Sequence, residues 1–320
     1  MHTVCGKGAA VFMIIIRMSG GIGNQMFQYA LYLKLVSMGK TVKFDDVTEY
    51  ALENARPVML SVFGIHYPKA TREEVIQLTD GSMRFADRLR RRLTGRKSLE
   101  YQEASGNYDP EVFVKEDAYL CGCFQSERYF KDIENTVREA YRFRELPVPE
   151  QIKSQIEAYE KEITGGCSVS IHIRRGDYLD AQEVYGGICT DAYYDKAIAC
   201  MKEWYPGIRF FIFTNDVFWA QKWCETKEEP ERFTVIRGTS EETAPVDLLL
   251  MSKCSHHIIA NSSFSWWGAW LGRTAVTQED APVREKRVVA PAKWLNTKEC
   301  PDIYTEDMIR IDAFGKIKEK

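Results

Sequence analysis

The residues best suited to chemistry form a short run over 172–178, with the sequence His-Ile-Arg-Arg-Gly-Asp-Tyr. An arginine side chain stays charged at any relevant pH, and its planar fork can hold two phosphate oxygens at once. We therefore predict that Arg174 and Arg175 bind a phosphorylated ligand, with His172 and Asp177 beside them. The alternative is an arginine–aspartate pair that only caps the end of a strand.

A second run, Ala-Asn-Ser-Ser-Phe-Ser-Trp-Trp-Gly over 260–268, follows an apolar stretch and precedes a helical pattern. Backbone N–H groups and hydroxyls at the start of a helix form an anion site, whereas simple capping needs a single polar residue. The predicted ligand groups are Ser262, Ser263, Phe264 and Ser265. The tryptophans that follow them either fill the core or wall the site.

A third run lies near the N-terminus, where Ser-Gly-Gly-Ile-Gly-Asn-Gln-Met covers residues 19–26. Gly21 and Gly23 allow a ligand to approach the backbone, and Asn24 and Gln25 offer amide groups at a helix start. The pattern is similar to a dinucleotide-binding fingerprint, but methionine stands where the third glycine belongs. That difference disfavours a nicotinamide-dependent oxidoreductase.

Acidic residues supply weaker candidates for ligand binding. Asp216 follows a predicted strand, where a carboxylate can bind sugar hydroxyls or cap the next helix. Asp247 is predicted to open a helix that ends at residue 254, and capping is again the alternative. The adjacent Asp45 and Asp46 have no partner acid at a suitable spacing, so we predict no metal site.

These runs sit within an alternating pattern of strands and helices. A strand over 13–18, a helix over 24–38 and a strand over 41–45 open the chain. Further strands are predicted over 169–173, 210–213, 234–236, 257–260 and 288–290, with helices over 190–204, 217–226, 244–254 and 264–272. Such alternation is typical of an α/β protein with mostly parallel sheets, which bind ligands at the carboxyl ends of their strands.

The length of 320 residues favours two domains with a cleft between them. We predict an N-terminal domain over residues 13–150 and a C-terminal domain over 160–300. A polar, proline-containing stretch joins them, and residues 301–320 are predicted to form a tail. The pattern over 49–116 predicts no definite topology.

Composition excludes several classes of protein. With 45% hydrophobic and 28% charged residues the chain folds, and a net charge of −3 gives no overall attraction to nucleic acid. No segment reaches the roughly 20 apolar residues that span a bilayer, so we expect a cytoplasmic protein. Residues 84–97 hold seven basic residues and one acid, which indicates either a solvated helix face or peripheral contact with an anionic membrane.

Taken in order, the three runs resemble the signatures of the α-1,2-fucosyltransferases of glycosyltransferase family 11, over about residues 13–295. The resemblance implies two facing Rossmann-like domains in the GT-B arrangement, GDP-β-L-fucose as the donor, and no metal or other cofactor. It also implies inverting transfer of L-fucose to the 2-hydroxyl of a terminal β-galactoside, here a bacterial surface glycan. There are two alternatives. The protein could transfer fucose to another hydroxyl or to a protein acceptor, or it could bind a nucleotide sugar without catalysing transfer.

The resemblance also implies roles for single residues. Arg174 would hold the β-phosphate, His172 would lie near the ribose or guanine, and the residues over 262–265 would bracket the diphosphate. Asp247 would bind guanine, and Asn24 would face the reacting centre.

The general base stays open among several carboxylates. Asp177 is the first candidate, Asp180 and Glu183 are rivals, and a loose transition state would need little help from a base. Asp216 matches a motif that often has two acids, but Asn215 stands in the first position here.

Overall fold

The computed structural model describes residues 12–52, 56–144, 146, 148–240, 242–272 and 286–318, without the side chains of residues 177 and 179. Its strands are β1 (Ile14–Arg17), β2 (Val42–Asp45), β3 (Glu100–Gln102), β4 (Ala118–Cys121), β5 (Ser168–Ile173), β6 (Arg209–Thr214), β7 (Phe233–Val235), β8 (His256–Ile258), β9 (Val288–Pro291), β10 (Met308–Ile311) and β11 (Ile317–Lys318). Its helices are α1 (Ile22–Ser37), α2 (Arg72–Thr79), α3 (Phe85–Thr94), α4 (Glu111–Val114), α5 (Glu134–Ala140), α6 (Glu150–Thr164), α7 (Asp177–Asp180), α8 (Gln182–Tyr185), α9 (Asp191–Trp204), α10 (Val217–Glu225), α11 (Ala244–Lys253) and α12 (Ser263–Leu271).

The first sheet has four parallel strands in the order β2-β1-β4-β3. Strand β1 lies inside it, with Ile14 opposite both Val42 and Ala118. Because both faces of an interior parallel strand are covered, the apolar run Ile14, Ile15 and Ile16 is fully buried.

The second sheet has seven strands in the order β11-β10-β9-β8-β5-β6-β7, and only the β10–β11 pair is antiparallel. Two parallel sheets with intervening helices confirm the predicted α/β class and the GT-B arrangement. The predicted tail over 301–320 is wrong, because β10 and β11 extend the second sheet. This segment joins the sheet because Met308 and Ile311 of β10 are apolar and are buried where β10 pairs with β9.

Most predicted elements are confirmed to within a few residues. Helix α11 begins at Ala244, as the wider helical pattern predicted, with Thr243 as its N-cap and Pro245 in its first turn. Asp247 therefore lies inside the helix and does not cap it. The stretch without a predicted topology forms α2, α3, β3 and α4, so the edge strand of the first sheet comes from there.

Helix α12 joins the two halves of the molecule by packing against α1. Trp266 and Trp267 are fully buried, and both indole rings lie within 5 Å of the Phe27 ring, at 4.6 and 4.8 Å. The Trp267 indole nitrogen also donates to the Gly23 carbonyl at 3.0 Å. Both tryptophans thus belong to the core, which fixes the start of α12 against the start of α1.

None of the helices in the described ranges has both the length and the apolar character needed to cross a bilayer.

Candidate active site

A cleft of about 640 Å³ lies between the two sheets. Its walls come from the starts of α1 and α12, from the residues that follow β3, β4, β5 and β6, and from the loops before α11 and after β9. The carboxyl ends of parallel strands are the usual ligand-binding edge of such a sheet. The fold therefore directs most of the predicted site residues toward one cavity.

The two arginines of the 172–178 run have different surroundings. Arg174 lines the cleft, with its guanidinium 5.9 Å from the Tyr178 ring. Arg175 is held elsewhere, because its Nε donates to Asp216 Oδ2 at 3.2 Å and its guanidinium lies 4.1 Å from the Trp219 ring.

The prediction that Arg175 and Asp216 bind the donor is therefore not supported by their positions, since neither lines the cleft. Asp216 instead caps α10 by accepting from the Trp219 backbone N–H at 3.1 Å. Arg175 and Asp216 thus fit the alternative given for the 172–178 run, in which an arginine–aspartate pair only caps the end of a strand.

The start of α12 presents three of its four predicted ligand residues to the cleft. Ser262, Ser263 and Phe264 line the cavity. Ser265 does not, because its side chain is buried and its hydroxyl turns back to the carbonyls of Ala260 and Ser262, at 3.5 and 3.3 Å. Burial in the helix end excludes Ser265 from direct contact with a ligand.

The start of α1 faces the same cavity through Gly21, Gly23 and Asn24. Gln25 is instead fully buried, and its amide bonds to the carbonyls of Gly20 and Pro57 and to the Met59 N–H. Gln25 thus shapes the glycine turn and does not reach a ligand, contrary to the prediction.

Gly23 is the point of closest approach between the two helix starts. A Cβ atom built on it would lie 2.7 Å from the Phe264 backbone nitrogen and 2.7 Å from the Ser263 carbonyl carbon. Neither α1 nor α12 has a side-chain hydrogen bond at its N-cap, which is Gly21 in one and Ser262 in the other. Two helix starts without side-chain caps therefore meet in the cleft that Arg174 lines, and this arrangement suits a polyanion.

Asn24 connects the helix starts to the opposite wall. Its Oδ1 accepts from the Ser263 hydroxyl at 2.7 Å and from Gln125 Nε2 at 2.8 Å. Gln125 in turn accepts from the Trp294 indole N–H at 3.2 Å. Because these bonds occupy the Asn24 oxygen and fix the side-chain orientation, its amide N–H₂ is the group able to donate to a ligand.

Asp247 is a half-buried residue that lines the cleft, and its Oδ1 atom is buried. Thr239 donates to Oδ2 at 3.1 Å, while Oδ1 has no hydrogen-bond partner among the described residues. Burial raises the pKa of Asp247 to about 7, and the Thr239 hydrogen bond only partly opposes that effect. A buried acceptor oxygen without a partner, on a residue that lines a cavity, is typical of a site that binds N–H groups.

The opposite wall holds Glu103, which the sequence did not predict. Its carboxylate accepts from the backbone N–H groups of Cys123 at 2.8 Å and of Phe124 at 3.2 Å. Burial nevertheless raises its pKa, and Lys298 opposes that rise. Glu103 directly follows the three-residue strand β3. Because ligands bind at the carboxyl ends of parallel strands, recognising β3 in the sequence would have made Glu103 a candidate.

The remaining predicted residues divide between wall and surface. His172 lines the cleft, is buried, and has its ring 5.6 Å from the Phe264 ring. Asp180 and Glu183 are exposed on the short helices α7 and α8 and are not among the lining residues. The side chain of Asp177 lies outside the described part of the chain.

Within the described ranges, no three histidine, cysteine, aspartate or glutamate side chains are grouped so that they could hold a metal ion.

Comparison with known proteins identifies the family. The model of glycosyl transferase family 11 matches residues 92–286. An alpha-1,2-colitosyltransferase of Escherichia coli is 30% identical over 309 residues, which cover 94% of this chain and 99% of the relative. The chain belongs to glycosyl transferase family 11.

One further relative agrees with membership of family 11. The O-antigen biosynthesis glycosyltransferase WbnK of Escherichia coli is 32% identical, with 87% of this chain and 93% of the relative covered. Among solved structures, the NodZ alpha-1,6-fucosyltransferase soaked with GDP-fucose is similar at 17% identity and a TM-score of 0.45, covering 82% of this chain and 93% of that one. Its membership of family 11, shown by the family model and the colitosyltransferase relative, makes the protein a glycosyltransferase and confirms the resemblance seen in its sequence.

Proposed function

We propose that this family 11 glycosyltransferase moves L-fucose from GDP-β-L-fucose to the 2-hydroxyl of a terminal β-galactoside, with inversion and without a metal. The observation that carries the proposal is the meeting of Arg174 with the starts of α1 and α12 in one cleft. That arrangement fits a diphosphate, which is the part common to nucleotide-sugar donors.

The chemical role of this cluster is to stabilise the leaving group. As the bond between the sugar carbon and the β-phosphate oxygen breaks, negative charge grows on GDP. In this proposal the Arg174 guanidinium and the N–H groups of Ser263 and Phe264 neutralise it, with the Ser262 and Ser263 hydroxyls as further donors. These fixed positive groups supply what a divalent cation would otherwise contribute, which supports metal independence.

Guanine recognition is assigned to the far end of the cleft. The unpaired Oδ1 of Asp247 can accept from the N–H edge of guanine, while Thr239 holds the other oxygen. His172 lies in the same cavity and packs near Phe264, as a residue next to the ribose or base would. Adenine lacks the N–H donor on its ring, so this site would favour guanine nucleotides.

The acceptor is assigned to the wall formed by Glu103, Gln125 and Lys298. Polar and charged side chains of this kind bind sugar hydroxyls, and Asn24 lies between them and the helix starts. Transfer requires the attacking 2-hydroxyl to lose its proton. We retain Asp177 as the candidate base, because its rivals Asp180 and Glu183 are exposed and do not line the cleft.

A second donor is favoured by one finding. The relative that is 30% identical over most of the chain is an alpha-1,2-colitosyltransferase. The relative's name gives the same α-1,2 linkage with a different deoxysugar, so a colitose donor is the second candidate for this cleft. The contacts proposed above concern the diphosphate and guanine, so they do not distinguish the two sugars.

The deciding experiment gives the purified protein GDP-fucose or GDP-colitose with lactose or N-acetyllactosamine, in the presence of EDTA. We expect an α-1,2-linked product from GDP-fucose at a rate that EDTA does not change. Preference for GDP-colitose would replace the donor assignment, and absence of product from every β-galactoside would refute the acceptor assignment.

Two arginine variants test the diphosphate site within the same assay. Arg174→Ala should lower turnover at least 100-fold, the scale on which removal of a charge-stabilising donor acts. Arg175→Ala is the matched control, because its guanidinium pairs with Asp216 outside the cleft, and it should keep turnover within about tenfold. Equal losses in both variants would refute the separate roles.

A further inference from the structure

Helix α3 has an unusual relation to the rest of the protein, because it buries none of its residues. Its apolar side chains point outward instead. Phe85 is 81% exposed, Leu93 is 76% exposed, and Leu89 is 47% exposed. Met83, just before the helix, is 74% exposed as well. A helix on a globular protein normally turns such side chains toward the core.

The side of α3 that contacts the protein is polar. Arg90 pairs with the Asp80 carboxylate, and Arg91 donates to the carbonyls of Asp80 and Ser82. Asp87 accepts from the Ser82 hydroxyl. The usual polarity is therefore inverted, since charged groups fasten the helix to the molecule and apolar groups face outward.

The outward face carries two parallel rows. Phe85, Leu89 and Leu93 recur every four residues, and we call this row the apolar stripe. Arg84, Arg88 and Arg92 recur at the same interval one residue earlier, are all exposed, and form the arginine stripe. Side chains four apart lie on one face of a helix, so the two stripes run side by side along α3.

We propose that α3 is an interfacial helix that seats this protein on an anionic lipid surface. The apolar stripe would enter the boundary between headgroups and acyl chains, and the arginine stripe would bind the headgroup phosphates. A solvated helix face would not expose three large apolar side chains in a row. This inference goes beyond the glycosyl transfer proposed above and does not depend on it.

Charge selects the lipid surface over a second copy of the chain. Pairing two α3 helices through their apolar stripes would bring two arginine stripes together, and the like charges would repel each other. An anionic bilayer instead neutralises every arginine in the row. Because the whole chain carries a net charge of −3, attraction to such a bilayer must come from this local patch.

Membrane binding through α3 would also orient the cleft. The segment after α3 leads into β3, the edge strand of the first sheet, and the Leu99 N–H bonds to the Leu78 carbonyl at 2.8 Å. Glu103, on the acceptor wall, follows directly after β3. Lipid binding through α3 would therefore hold the first-sheet half of the protein at the membrane.

The test measures sedimentation of the full chain with vesicles of equal parts phosphatidylethanolamine and phosphatidylglycerol, and with vesicles of phosphatidylcholine alone. We expect binding to the anionic vesicles that weakens as salt is added, and much weaker binding to the neutral ones. Equal recovery with both, or with neither, would overturn the proposal.

Two triple variants separate the contributions of the stripes. Replacing the arginine stripe by glutamine should weaken partition about fivefold for each residue, or on the order of 100-fold in all. Replacing the apolar stripe by serine should abolish binding at any salt concentration. Because all six side chains are exposed, the thermal unfolding midpoint should stay unchanged, which reports that the variants are folded.

A matched control removes exposed aromatic side chains elsewhere. Phe218 and Phe314 are 68% and 84% exposed, and Phe218→Ser with Phe314→Ser should leave vesicle binding intact. If this control loses as much vesicle binding as the apolar-stripe variant, binding is nonspecific hydrophobic adsorption and the assignment to α3 is overturned. A solution dimer that the apolar-stripe variant dissociates would show that a second copy covers the stripe, and would overturn it as well.

Discussion

Asp247→Asn is the most informative single change, because it should improve the stability of the free protein at neutral pH while weakening nucleotide binding. The carboxylate is buried, its Oδ1 has no partner among the described residues, and its pKa is raised from 3.8 to about 7. Those facts allow both effects to be estimated.

The stability effect follows from proton linkage. Between pH 3.8 and about 7 the folded state keeps a proton on Asp247 that the unfolded state has lost, so stability falls as pH rises through that window. The shift corresponds to about 4 kcal/mol in the unfolding free energy. Asp247→Asn should lack this decline, and its unfolding midpoint should exceed that of the wild type by several degrees at pH 8 but not at pH 4.

The binding effect has the opposite sign. A hydrogen bond to a charged group contributes about 1.5–3 kcal/mol, so the variant should bind GDP roughly 10- to 150-fold more weakly at pH 8. Since the ionised carboxylate is the binding form, wild-type affinity should rise with pH up to about 7 and then level off. Titration calorimetry in buffers of different ionisation enthalpy should detect proton release on binding below pH 7.

Asp216→Asn is the matched control for this prediction. Asp216 lies outside the cleft, and asparagine can still cap α10, so GDP affinity should be unchanged. An Asp247→Asn protein that binds GDP as tightly as the wild type over pH 5–8 would refute the guanine assignment.

Two further changes test the walls of the cleft. Gly23→Ala should destabilise the protein by about 1–3 kcal/mol and lower turnover, because the added methyl group forces the starts of α1 and α12 apart. Gly166→Ala is the control, since open space surrounds that position, and it should change neither stability nor turnover. Thermal unfolding and the transfer assay compare the two variants, and a Gly23→Ala protein with unchanged stability and turnover would contradict the packing. Glu103→Gln should raise the KM for the β-galactoside at least tenfold while leaving the KM for the donor unchanged. Burial raises the Glu103 pKa, so the wild-type acceptor KM should rise as pH falls through that raised value, and the variant should lose this dependence; a rise in the donor KM alone would place Glu103 with the nucleotide.

Several features of this protein follow from local sequence alone. The alternation of apolar strands and helices predicted the α/β class, because each pattern reflects which side of an element is covered. The same reasoning located Arg174 and the start of α12, since residues that follow parallel strands collect at one edge of a sheet. The family resemblance, which rests on the three runs of motif residues, was confirmed by the comparisons.

Other features were decided by contacts between distant segments. Arg174 and Arg175 are neighbours with the same chemistry, and only the positions of Asp216 and Trp219 direct one into the cleft and the other away. The burial of Gln25 likewise depends on a loop more than 30 residues further along the chain. No local pattern reports which side chain a remote partner will bind.

Glu103 and α3 show the same limit on a larger scale. Glu103 reaches the cleft because β3 pairs with β4. A strand of only three residues is too short to be predicted from the sequence pattern. For α3 the sequence left open a solvated helix face or contact with an anionic membrane, and it did not show which side of the helix faces the protein. Arg90 and Arg91 decide that orientation by bonding to Asp80, because ion pairs and hydrogen bonds form only where the fold brings their partners within reach.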